Sequence, residues 1–182
     1  MAAPRNTSLL ILTGPPGVGK TTVAGILSAR SARSVHLESD CFFRFIGSGY
    51  VEPWKPKSHD QNQVVMRIVG HAAAAYADAG YFTIIDGIII PGWFVEPLRD
   101  GLQSAGHPVS YAVLLAPLGL CAARAKERER ESLDSPEAIG QLWQSFTDLG
   151  EFEKNGLDIG TKSPHEVADM LEQRLEAGQL LL

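Results

Sequence analysis

The sequence predicts an α/β layer fold with a mainly parallel sheet, and three observations carry that prediction. Short strand-like apolar segments alternate with helix-compatible ones along the chain, the order that builds βαβ units with right-handed crossovers. The first of them, "SLLILTG" (residues 8–14), reads as a buried strand that ends in glycine. A glycine-rich loop then leads straight into a helical pattern, as happens at the carboxyl edge of a parallel sheet.

The elements follow in order. "KTTVAGILSARSA" (20–32) is helix-compatible, and "SVHLES" (34–39) is a second strand. "FTIIDG" (82–87) and "VSYAVLLA" (109–116) are two more, and "NGLDIG" (155–160) is a weaker last one. Helical patterns occupy 61–80, 94–106 and 119–131. The closing "SPHEVADMLEQRLEAG" (163–178) carries a capping box, Ser163 with Glu166, and Pro164 at the first helical position. Two segments read as irregular, 47–60 and 130–138, and long connections of this kind in α/β proteins are candidate substrate loops or lids.

A chain of 182 residues with 45% hydrophobic content is long enough for one buried core and short for two, so residues 1–182 are expected to form a single domain. The formal charge of −5 leaves no basic stripe, which disfavours nucleic acid and anionic membrane surfaces as partners but permits a small local anion site. The two cysteines, Cys41 and Cys121, have no CxxC spacing and suggest neither a disulfide framework nor zinc. The N-terminus lacks a signal-like charged start, and apolar stretches such as "IIDGIII" are too short to span a bilayer. A soluble, cytoplasmic protein is the expectation.

Residues Gly14, Pro15, Pro16, Gly17, Val18, Gly19, Lys20 and Thr21 match G-x-x-x-x-G-K-[ST] in full, with Thr22 continuing into the helix. Glycines let the main chain approach phosphates closely, and the loop N–H groups join the helix N-terminus in holding negative charge. Lys20 is expected to reach the β- and γ-phosphates, and the Thr21 hydroxyl to complete a Mg²⁺ shell. At ordinary residue frequencies a chance match in a chain this long is roughly one in a hundred, and the strand-to-helix setting lowers that further. "FTIIDG" delivers Asp86 to the same edge of the sheet, where it can hold Mg²⁺ directly or through water, or simply serve an Asp-Gly turn.

With these motifs the chain resembles the small P-loop kinases of the nucleoside-monophosphate-kinase type, and most closely the small-molecule phosphotransferases among them: shikimate kinase, gluconate kinase and chloramphenicol phosphotransferase. The resemblance extends over nearly the whole chain as an order of elements. It implies a three-layer P-loop NTPase fold with a five-stranded parallel sheet, helices on both faces, and a lid over about residues 124–150. It also implies transfer of the γ-phosphoryl group of ATP to a small acceptor with Mg²⁺. In "APLGLCAARAKERER" (116–130) it places Arg124 against the adenine ring and Arg128, one turn later, on phosphates. A spacing of four puts both on one helical face. The competing reading is an exposed helix whose Glu127, Glu129 and Glu131 pair with Lys126, Arg128 and Arg130.

The resemblance puts an aspartate just after the second strand beside the acceptor hydroxyl, and Asp40 of "HLESDCFFRF" (36–45) falls there. A carboxylate at that point orients the hydroxyl and accepts its proton. The rival role is capping of a helix that begins near Cys41, a task that falls more naturally to Ser39. Arg44, one turn on, binds an anionic group of the acceptor or pairs with Asp40; Phe42, Phe43 and Phe45 read mainly as core. Gly92 and Trp93 of "IIIPGW" are further acceptor-side candidates, while Tyr50 and Trp54 in segment 47–60 suggest an acceptor wall.

The leading expectation is therefore an ATP- and Mg²⁺-dependent kinase of a small hydroxyl compound. A nucleoside or nucleoside-monophosphate kinase is the nearest alternative, although segment 40–70 offers only Arg44 and Arg67 for a second phosphate. A non-catalytic, nucleotide-dependent regulatory module is the alternative from another class. The acceptor and the oligomeric state are not legible in the sequence.

Overall fold

The computed structural model describes residues 8–102, 106–126 and 136–182. Its sheet has five strands: β1 (Leu9–Thr13), β2 (Ser34–Glu38), β3 (Phe82–Asp86), β4 (Val109–Leu115) and β5 (Gly156–Asp158). All neighbours are parallel, in the order β2-β3-β1-β4-β5. The helices are α1 (Lys20–Ala29), α2 (Ser39–Arg44), α3 (His59–Asp78), α4 (Val95–Leu102), α5 (Leu118–Lys126), α6 (Pro136–Gln144) and α7 (Pro164–Glu176). This is a three-layer α/β fold with helices on both faces of the sheet.

Alternate side chains of a strand point to opposite faces, and both faces here are apolar. Leu10, Leu12, Ile84, Ala112 and Leu114 meet Val23, Leu27, Val167 and Leu171 of α1 and α7. Leu9, Ile11, Ile85, Tyr111 and Val113 meet Val65, Val69, Leu98 and Leu102 of α3 and α4. Each fully buried Leu, Ile or Val contributes about 1.5–3 kcal/mol relative to exposure, so β1 is the most heavily invested strand.

Helices α3 and α4 approach to main-chain contact. A Cβ on Gly70 would lie 2.6 Å from the Leu98 carbonyl oxygen, and one on Gly101 would lie 2.5 Å from that of Arg67. Gly70→Val is therefore expected to force the helices apart and to cost about 2 kcal/mol. For a chain of this size that lowers Tm by roughly 4–8 °C, to be read from a thermal melt. An unchanged Tm would show that the helices separate freely.

The register fixes the working edge of the sheet. Leu12 lies opposite Asp86, and Asp86 lies opposite Glu38. The carboxyl ends of β1, β3 and β2 are thus level, so the loop after Thr13, Asp86 and the start of α2 share one crevice.

Two segments depart from the sequence reading, while the weak last strand is present. Segment 130–138 does not stay irregular to its end, because Pro136 opens α6. Segment 47–60 is less irregular than expected: a 3₁₀ turn at Pro56–Ser58 leads directly into α3 at His59. Buried Asn62 organises that entry, its Nδ2 donating to Pro53 O and Ser58 Oγ at 2.8 Å each. Gln61 clasps both main-chain groups of Val51, at 2.9 and 2.6 Å. Finally, β5 pairs only with Val113–Leu115, and the C-terminal tail covers the remaining edge of β4 through a Ser110–Leu181 bridge. Buried Asn155 stitches the gap by donating to Tyr111 O and Leu180 O.

Candidate active site

The glycine-rich loop lies between β1 and α1 as its spacing requires. Gly17 has φ +77°, and a Cβ there would fall 2.0 Å from the Cys121 carbonyl oxygen of α5, so only glycine lets α5 close against the loop. Gly19, in the left-handed region, is the N-cap of α1. It supplies no side-chain cap, and the first turn of α1 carries no acidic residue. The orphan N–H groups of a helix start, with the positive end of the dipole, thus face the crevice with no protein anion set against them in that turn. That arrangement fits a triphosphate.

Lys20 opens α1 and is 9% exposed. Its Nζ donates to Gly14 O at 3.0 Å and Pro15 O at 3.1 Å, so the ammonium is folded back over the loop it would serve. Thr21 is half-buried and Thr22 exposed.

Gly17, Val18, Gly19 and Thr22 line one side of a 380 Å³ cleft, and Arg124 of α5 lines it too. Ile159, Lys162, Pro164 and Val167 form the other wall. These four were missed in the sequence. The available signal was the turn "GTKSP" (160–164) between the last strand and the capped α7. The cap itself is as read: Glu166 N donates to Ser163 Oγ, and Ser163 N donates to Glu166 Oε2.

Arg128 lies outside the described residues, as does the rest of 127–135. The later part of the expected lid region is built into the body. Leu142, Phe146 and Leu149 are buried in the α3/α4 core, and Trp143 Nε1 donates to Ala116 O at 2.8 Å.

On the other side of the loop, Asp86 ends β3 and is 4% exposed. His36 of β2 meets it, with Nε2 to Oδ2 at 3.2 Å. His36 was not singled out in the sequence, because nothing local marks it.

Asp40 sits in the first turn of α2. Its carboxylate opens to solvent within the crevice, but protein encloses it on most sides, and this desolvation raises its pKa above the ordinary carboxylate range. Lys20 acts against that rise, Asp86 adds to it, and Arg44 and Glu38 follow with smaller effects of opposite sign. One electrostatic neighbourhood therefore joins Lys20, Asp40, Asp86, Arg44 and Glu38. Tyr50 belongs to its rim: burial first, then Glu52 and Asp40, raise its phenol.

Ser39 does not cap α2. Glu38, in extended conformation, is the N-cap and makes no side-chain cap bond. Ser39 is the first helical residue, 2% exposed, and its Oγ fills the space where a Cβ of Gly87 would stand. Asp40 is not drawn into capping either. Arg44 forms no ion pair with Asp40 among the described residues; its Nη2 donates to Cys41 Sγ at 2.9 Å.

The aromatics of α2 divide. Phe43 is buried, but Phe45 is 78% exposed, so the core reading fails for it. Phe42 and Phe45 line a 420 Å³ apolar groove with Ile46, Val64 and Ile68. On the helix that groove lies on the side of α2 opposite Asp40 and Arg44.

Gly92 and Trp93 occupy the loop after Asp86. Thr13 Oγ1 accepts from Ile89 N, and buried Tyr111 donates its hydroxyl to Ile89 O, each at 2.8 Å, which pins the start of that loop. Trp93 is half-buried and stacks on Phe94 at 4.7 Å, leaving no ring contact or hydrogen bond to Asp40 among the described residues.

A family model described as an AAA domain matches residues 9–149. Among solved structures, a sugar kinase from Janibacter sp. HTCC2649 superposes with a TM-score of 0.71 at 20% identity, covering 96% of this chain and 98% of its own. The APS kinase of Mycobacterium tuberculosis, solved with AMPPNP and APS, gives 0.68 at 18% identity over 96% and 99%. A gluconokinase from Sinorhizobium meliloti gives 0.64 at 14% identity over 97% and 93%. At these identities the likeness is one of fold.

Proposed function

We propose, from the premise that this chain belongs to the AAA domain family, that it is an ATP- and Mg²⁺-dependent phosphotransferase acting on a hydroxyl of a small molecule. The observation that carries the reading is the single neighbourhood of Lys20, Asp40 and Asp86 at the mouth of an uncapped, glycine-lined helix start. The sugar kinase, gluconokinase and APS kinase that share this fold support a kinase-type enzyme with a small acceptor.

In this reading the loop from Gly14 to Thr22 holds the triphosphate, and Arg124 faces the base across the cleft from Lys162 and Pro164. Mg²⁺ needs only one or two protein oxygens besides phosphate and water, and Thr21 and Asp86 would provide them. When bound it neutralises charge on the β- and γ-phosphates. Lys20 leaves the carbonyls of Gly14 and Pro15 to follow the γ-phosphoryl group, and Asp40 orients the acceptor hydroxyl and takes its proton. Arg44, Gly92 and Trp93 belong to the acceptor side. The chain acts as one unit, and Arg128, which lies outside the described residues, is assigned to the phosphates.

Arg124→Ala should raise the KM for ATP roughly tenfold with kcat little changed, because a desolvated cation–aromatic contact is worth about 1–2 kcal/mol. Equal KM values in steady-state assays would remove Arg124 from the base site.

A thermal-shift screen tests the reading as a whole. With Mg²⁺ and a non-hydrolysable ATP analogue at about 100 times Kd, stabilisation of about 2.7 kcal/mol is expected. One class of hydroxyl compound should add to it among sugars, sugar acids, adenylylsulfate, nucleosides, antibiotics and an oligonucleotide 5′ end. An added shift with nucleoside monophosphates alone would favour the monophosphate-kinase alternative. No shift with the analogue would end the proposal.

A further inference from the structure

We infer that His36 is a positioning residue that fixes the Asp86 carboxylate for its cation, an inference that rests on the reading of Asp86 as a Mg²⁺ ligand. Glu38 lies directly opposite Asp86, and His36 is two residues earlier in β2, so His36 and Asp86 project from the same face of the sheet. The imidazole Nε2 reaches Oδ2 at 3.2 Å. A carboxylate only accepts, so in this bond Nε2–H donates to Asp86 Oδ2.

The remainder of β3, "FTII", is buried and, Thr83 apart, apolar, a setting in which a carboxylate is costly without partners. Among the described residues His36 is the hydrogen-bond partner of Asp86, and it engages only Oδ2. Oδ1 is thereby left as the oxygen for a cation, held in a fixed plane. The charge is near enough to Asp40 to raise its carboxyl. His36 itself is only 18% exposed, so solvent does not readily replace it. An N–H donor behind a metal-binding carboxylate does what outer partners of ligands do elsewhere: it sets orientation without touching the metal.

The test is titration of Mn²⁺ into the protein with a non-hydrolysable ATP analogue, with free Mn²⁺ followed by electron paramagnetic resonance. Affinity for the analogue without metal is measured in parallel. His36→Ala is expected to weaken Mn²⁺ binding roughly tenfold while metal-free analogue affinity stays within about twofold. His36→Gln, which keeps an N–H donor of similar reach, should restore most of the loss. Mn²⁺ affinity in His36→Ala equal to wild type would overturn the inference. So would an equal loss of metal-free analogue affinity, or a His36→Gln variant as weak as alanine, because either marks a merely structural role. If the wild-type protein itself takes up no Mn²⁺ with the analogue, the reading of the site as a metal–nucleotide site fails first, and the inference with it.

Discussion

Lys20→Ala is expected to lower kcat for phosphoryl transfer by at least roughly 10²–10³-fold, the usual consequence of removing one preorganised charge from a transition state. The γ-phosphoryl group passes through a loose transition state in which the protein contributes position and electrostatics rather than covalent chemistry. Lys20 is the buried cation at the loop, and it already spans the carbonyls of Gly14 and Pro15. Among the described residues no other basic side chain donates to those loop carbonyls. The fold should survive the change. Alanine is the best helix former, and α1 remains anchored by Val23, Ala24 and Leu27. Circular dichroism should give a cooperative melt near that of the wild type, while a radiometric assay registers the loss. Activity within tenfold of wild type would move the phosphate contact elsewhere.

Asp40→Asn should reduce kcat roughly 10²–10³-fold, within the range for a positioned general base, and leave the KM for ATP unchanged if Asp40 meets the acceptor as proposed. The pH dependence separates base from mere positioning. Desolvation first, then Asp86 and Glu38, hold the Asp40 pKa above the ordinary carboxylate range against Lys20 and Arg44. The wild-type kcat/KM profile should therefore show an acid limb above that range, and the Asn variant should lose it. Stability moves the opposite way. Because the folded pKa lies above the unfolded one, the folded protein binds this proton more tightly. The charge carries no penalty below the unfolded value, and the penalty grows as pH rises through both values. Asp40→Asn should thus melt higher than wild type at neutral pH, with the gap closing on acidification. A variant that melts lower at neutral pH would contradict the account of this carboxylate, as would a retained acid limb.

What was legible in the sequence is what is encoded locally. The glycine spacing of residues 14–19 dictates the turn, and the apolar run Leu9–Leu12 can only be a buried strand beside it. Asp86 and Asp40 follow because a parallel sheet lines up its carboxyl ends. The features that were missed depend on contacts between distant segments. His36 and Asp86 are 50 residues apart, and their meeting is a matter of strand register. The far wall of the cleft beside the glycine-rich loop, Ile159 to Val167, exists because α7 packs on α1, with Arg30 bridging to Asp169 and Glu172. Ser39 was a sound capping candidate by residue type, but β2 runs to Glu38 and the close approach of Gly87 draws the serine inward. The entry to α3 at His59 was hidden by prolines whose carbonyl and turn are organised by Ser58 and Asn62.

The central claim is that one edge of the sheet carries phosphate from ATP to a hydroxyl. Its most direct test is to incubate the protein with Mg²⁺, γ-labelled ATP and the acceptor classes above, and to follow the label by chromatography. The expected result is a labelled phosphate ester of one acceptor class, absent with Lys20→Ala and strongly slowed with Asp40→Asn. Label that stays in ATP with every acceptor, or leaves only as inorganic phosphate, would contradict it.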